Sequence, residues 1–219
     1  MSNRPLHSPL LAHHFRGPWL EWFGFVPRIE ALEKYCDQLE SDLGRSHPHS
    51  QLARSWLSVS YGAEHFDAGQ LDVLREAESS IRTHFPSAHE ALALNVAAQG
   101  CHTWFLHTRA ASVPLLADAL QIMITHDVCC DADVIKVGEL LAASQAACGQ
   151  VESAFRTIHR VLPRLAAATK QSPSITSMFV ELCEQLIDEM GADAQPKPGS
   201  AAEAVMFQRA SMHLILDER

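Results

Sequence analysis

Basic residues are in short supply in this sequence. Seventeen Lys and Arg stand against 26 Asp and Glu in 219 residues, a net charge of −9 with His neutral. A nonspecific nucleic-acid binder needs a basic footprint, so direct nucleic-acid binding is not expected. None of the six cysteines (Cys36, Cys101, Cys129, Cys130, Cys148, Cys183) stands in a C-x-x-C pair. The first residues also lack the basic-then-apolar order of a secretory signal. Together these lead to the expectation of reduced thiols in a cytoplasmic protein. No apolar run approaches the length of about 18 residues that a membrane span requires. The patterns H-E-x-x-H, G-x-S-x-G, G-x-G-x-x-G and G-x-x-x-x-G-K-[ST] are missing. Their absence excludes the metalloproteases, α/β-hydrolases, dinucleotide enzymes and P-loop enzymes that bear them. None of the 13 His has a Glu three positions before it, which excludes the Glu-x-x-His pair of a helical di-iron site. No stretch alternates at period two for long enough to argue a strand.

What is present is helical. Hydrophobic residues make up 47% and charged residues 20%, the balance of an ordinary globular chain. Residues 1–27 hold four of the eleven Pro and the aromatics Trp19, Trp22, Phe23 and Phe25, and they read as an irregular segment buried against the first helices. From residue 28 the apolar spacing turns to steps of three and four. Ile29, Leu32, Cys36, Leu39 and Leu43 share one face, with Gly44 placed for a left-handed cap. Leu52, Trp56, Val59, Ala63 and Phe66 mark a second helix, and Leu71, Leu74, Ala77, Ile81 and Phe85 a third that Pro86 stops. Ser87 and Glu90 form a capping-box pattern. The helix after it, at about 88–107, is apolar on most sides and should be central. Pro114 is expected to open a fifth helix and Asp131 or Asp133 to cap a sixth that Gly149 closes. A seventh is kinked at Pro163, and Ser172-Pro173 starts an eighth that ends at Gly191. Residues 191–200 read as a linker and 201–219 as a C-terminal helix with Phe207, Ala210 and Leu214 on one side. The expected fold is all-α, with about eight or nine helices in antiparallel hairpins.

Gly138–Val161 reads GELLAASQAACGQVESAFRTIHRV. Leu141 and Ala142 come first, then Gly149 at the turn, then Ala154 and Ile158. This spacing resembles the tetratricopeptide repeat (TPR), in which a large and a small apolar residue on helix A face a small residue on helix B. Gly138, Gln145 and Val161 depart from the pattern, at positions where an aromatic, Tyr and Ala are common. Trp56, Val59, Ser60 and Ala63, and again Leu94, Ala97, Ala98 and Cys101, resemble the helix A pattern more loosely. The small residues Ser60, Ala98 and Ala142 are 38 and 44 residues apart, not 34. Such uneven repeats resemble the degenerate ones of bacterial regulators, and they span at most residues 50–168. The competing reading is an irregular helical bundle whose Ala and Gly ease packing.

The TPR-like resemblance implies a stacked superhelix that binds a protein or peptide without catalysis. Its concave groove would be lined by the polar residues of the A-type helices: Arg54, Ser58, Asn95, Gln99, His102, Glu139 and Gln145. The net charge makes a basic partner the expected one. Two rivals come from other classes: a sensory or regulatory segment of a signalling or transcription-regulating protein, and a helical enzyme or cofactor carrier that uses interior histidines. The N-terminal aromatics or the C-terminal helix offer a route to a homodimer. No cofactor or metal is expected. The polar cluster His126, Asp127, Cys129, Cys130, Asp131 and Asp133 reads as a helix-capping turn, because adjacent Cys chelate one tetrahedral ion poorly. His102 and His107 are five apart on one helix and point in different directions.

Overall fold

The computed structural model describes residues 29–63, 69–106, 108–189, 196 and 198–217. Among them the fold is all-α, with no strand. The helices are α1 (Ile29–Leu43), α2 (Pro48–Ala63), α3 (Gly69–His84), α4 (His89–Leu106), α5 (Arg109–His126), α6 (Asp131–Ala147), α7 (Val151–Val161), α8 (Leu165–Gln171), α9 (Pro173–Glu189) and α10 (Ala201–Asp217). A 3-10 turn at Leu162–Arg164 joins α7 to α8 at the expected Pro163 kink. The aromatic cluster Trp19, Trp22, Phe23 and Phe25 lies outside the described residues, as do Gly191 and most of the expected linker.

Local signals account for most of the helix ends. Gly44 and Gly149 adopt φ of 85° and 74°, the left-handed conformation that a side chain resists. After α6 the Gly149 and Gln150 amides donate back to the Ala146 and Gln145 carbonyls at 2.8 Å each, which closes the helix. Three helix starts differ from the sequence expectation. The fourth helix begins at His89 with Ala88 as its first backbone acceptor, one residue past the start that the Ser87–Glu90 pattern marks. The fifth helix opens at Arg109 and not at Pro114, because Thr108 Oγ1 caps it by accepting from the Ala111 amide at 3.2 Å. Pro114 then sits inside the helix on its exposed side, where it forfeits one backbone bond. For α6, Cys130 occupies the N-cap position in place of Asp131 or Asp133. The Asp131 carboxylate is drawn instead to Arg164 at 2.9 Å, and the free Ala132 amide donates to Gln171 Oε1 at 2.9 Å.

Successive helices from α1 to α7 pack against one another, as do α8, α9 and α10. In addition α2 touches α4, α4 touches α6, and α6 touches α8 and α9. Helix α4 is the centre: every residue from Ala91 to Thr103 is buried, as its all-round apolar sequence implied. Two glycines set the closest approaches. A Cβ on Gly100 would lie 2.7 Å from Leu116 Cδ2, and one on Gly138 would lie 2.9 Å from both γ carbons of Val161. Glycine at these two points lets α5 press on α4 and α7 press on α6. Leu116 and Val161, both fully buried, fill the space, each adding about 1.5–3 kcal/mol of burial. Between α5 and α6, the buried Ser112 and Ser144 hydroxyls share a hydrogen bond of 3.0 Å. Helix α10 lies on α7, α8 and α9 and buries Ala202, Val205 and Met212. Phe207 points to solvent, 79% exposed.

Candidate docking groove

Helices α5 and α7 both pack on α6, and a groove runs between them with α6 as its floor. Ala117 and Leu120 of α5 form one wall, Leu141 and Gln145 of α6 the floor, and Ser153, Arg156, Thr157 and Arg160 of α7 the other wall. It holds about 240 Å³, below the range of roughly 300–1,000 Å³ usual for small-molecule and cofactor pockets. The period of α7 explains its double role. Ala154, Phe155, Ile158 and Val161 face the core, while Arg156 and Arg160, one turn apart, flank that face and reach the groove.

The groove polar groups are held in place. Thr157 Oγ1 donates to Gln145 Oε1 at 2.8 Å, tying α7 to α6. Arg160 donates to Gln121 Oε1 at 2.7 Å, which bridges α7 to α5 across the groove. Arg156 is 68% exposed and only 3.9 Å from Glu152. No Asp or Glu lines the groove.

Of the seven residues expected to line one concave face, the six whose side chains are described do not meet on one surface. Gln145 lines the groove just described. Arg54 pairs with Glu40 of α1 at 3.0 Å, and the Ser58 side chain lies outside the described ones. Asn95, Gln99 and His102 are buried within the α4 packing. Gln99 donates to Glu78 Oε2 of α3 at 2.6 Å and to Asn95 Oδ1 at 3.1 Å. Glu78 in turn accepts from Arg82, which also reaches Asp118 of α5, so this network joins three helices. Glu139 is buried against α9 and pairs with Lys136 at 2.9 Å; burial raises its pKa and the Lys136 ammonium opposes the rise. Sequence reasoning missed Arg156 and Arg160. Their signal was an i, i+4 Arg pair beside Ser153 and Thr157, in the same hairpin as Gln145.

Among the described residues, five of the six thiols are held against reaction. Burial pushes the Cys36, Cys101 and Cys183 thiols up to about 12, and raises Cys129 and Cys130 as well, so these stay protonated and unreactive near neutrality. The turn at residues 126–133 is engaged in structure. Arg164 clamps Asp127 and Asp131 at 2.6 and 2.9 Å, and Cys130 Sγ donates to Asp133 Oδ2 at 3.2 Å. Among the described residues no group of three His, Cys, Asp or Glu is placed to hold a metal ion. None of the described helices is long and apolar enough to cross a membrane. No protein-family model matches the chain, and no curated protein matches it.

Proposed function

We propose that this protein is a non-catalytic binding module, a scaffold or regulator that docks a segment of a partner protein. One observation carries the reading: the groove over α6 combines apolar side chains, Ala117 and Leu120 of α5 and Leu141 of α6, with a polar α7 wall. Apolar side chains bordered by polar ones are the anatomy of a docking surface. Its volume suits a few partner side chains better than an enclosed cofactor. The raised thiol pKa values favour binding over cysteine chemistry. Stacked hairpins, as in the TPR-like reading, give such modules rigid elements on which to display a groove.

A photo-crosslinking amino acid at Ala117, inside the groove, tests this in the native host. The expected result is one discrete crosslinked protein, absent when the crosslinker is moved to the exposed Glu76 of α3. Identical crosslinking from both positions, or none from Ala117, overturns the proposal.

A further inference from the structure

Resting on the docking reading above, we infer that the groove takes an acidic segment of a partner protein. An aliphatic side chain of that segment would settle beside the partly exposed Ala117, over the buried Leu120 and Leu141, and its carboxylates would meet Arg156 and Arg160. The local charge points this way although the whole chain is acidic. The lining holds two guanidiniums and no carboxylate in a protein with net charge −9. Among the described residues, Arg160 is bonded to the neutral Gln121 and no carboxylate pairs with it. Arg156 has only its loose, exposed contact with Glu152. Both guanidiniums therefore keep donors to spare, and a guanidinium matches a carboxylate with two parallel N–H bonds. Placed one turn apart on α7, the two lie about 5–6 Å from each other at Cβ. Acidic residues two apart on an extended strand, or four apart on a helix, span a similar distance. The apolar Ala117, Leu120 and Leu141 in the lining ask for an aliphatic residue between or beside them. The net charge that predicted a basic partner is spread over other faces, and the groove has the opposite sign.

A phosphate backbone is the other ligand that two arginines fit. Nucleic-acid binding proteins, however, gather many basic contacts, and this groove has two.

The test is selection of a random heptapeptide library on the immobilised full chain, followed by fluorescence anisotropy with the enriched peptides. The expected result is enrichment of Asp or Glu around an aliphatic residue. Affinity should fall about tenfold in each of Arg156→Gln and Arg160→Gln, the factor that about 1.4 kcal/mol corresponds to. Both positions are on the surface, so equal thermal melting of variants and parent separates lost binding from lost folding. Enriched peptides that are basic or uncharged, yet are displaced when Ala117 is made bulky as Ala117→Trp, overturn the acidic inference and leave the docking reading standing. Acidic peptides that bind both Arg variants as tightly as the parent overturn it too. Displacement of the acidic peptides by a single-stranded oligonucleotide at 150 mM salt, with loss in the same Arg variants, overturns it in favour of phosphate. No enrichment above a blank surface overturns the inference and the docking reading together.

Discussion

Gly138→Ala sets two well-measured effects against each other. In an unconstrained helix the change should stabilise by about 1 kcal/mol, because alanine loses less backbone freedom on folding. Here the new Cβ would sit 2.9 Å from both γ carbons of Val161 and 3.3 Å from its Cβ. Carbon atoms normally rest at about 3.5–4.0 Å, so the overlap is roughly 0.6–1 Å. Val161 cannot turn away. It is β-branched in a helix, with one strongly preferred χ1, and it is fully buried. The strain must therefore move α7 against α6, at the usual overpacking cost of about 1–3 kcal/mol. The net expectation is a loss of 0 to about 2 kcal/mol, or a few degrees in melting temperature for a chain of this size. Urea unfolding followed by circular dichroism measures it. Val161→Ala alone should cost about 2 kcal/mol from two lost methyl groups and the cavity. The double variant should cost less than the two singles summed, by about 1 kcal/mol, because each change relieves the other. A stabilised Gly138→Ala, or strict additivity with Val161→Ala, would show that α6 and α7 do not approach through this glycine.

Three further outcomes are expected. Ala154→Leu puts three carbons into a fully buried site on α7 and should cost roughly 1–3 kcal/mol; unchanged melting would count against the packed hairpin. Arg164→Ala releases Asp127 and Asp131, two partly exposed ion pairs, and should cost about 1 kcal/mol and speed amide exchange at residues 127–132, whereas unaltered exchange would refute the clamp. Acid should weaken the fold through His47, which burial, and then the adjacent His49, lower from 6.5 to about 4. The fold favours its neutral form, so the unfolded chain binds more protons below pH 6.5. Its contribution is whole above that pH and fades as pH falls toward 4. With discounting for partial exposure this is about 1–2 kcal/mol. The stacked His89 and His126 rings, 3.5 Å apart, add to the same trend, since burial and then His126 lower His89. Urea unfolding at pH 7.5, 6 and 4.5 should show the decline, and His47→Gln should flatten it; parallel declines in both would refute the role of His47.

Much of the fold was legible because helix signals are local. Gly44, Gly149, Pro86 and Pro163 act within a few residues of themselves, and the all-round apolar run at 91–103 can only be central. Two of the misread starts came from side chains that answer to distant partners. Pro114 resembles a helix opener until Thr108 is seen to cap one turn and a half earlier. Asp131 has the chemistry of a cap, but Arg164, 33 residues away, takes its carboxylate. The same limit governed the site. Asn95 and Gln99 look like groove residues on a helix wheel, yet both are buried, with Gln99 donating to Glu78 on α3 and to Asn95. Arg156 and Arg160 look like ordinary solvent-facing charge until α5 and α7 are placed on either side of α6. The period of α7 fixes which way they point, but not what stands opposite.

Hydrogen–deuterium exchange on the full chain, with and without a saturating amount of the tightest library peptide, tests the groove most directly. The account predicts slowed exchange confined to residues 117–121, 141–145 and 153–160, which line or bridge the groove. Slowing elsewhere, such as around the exposed Phe207 of α10, or no slowing at saturation, would contradict it.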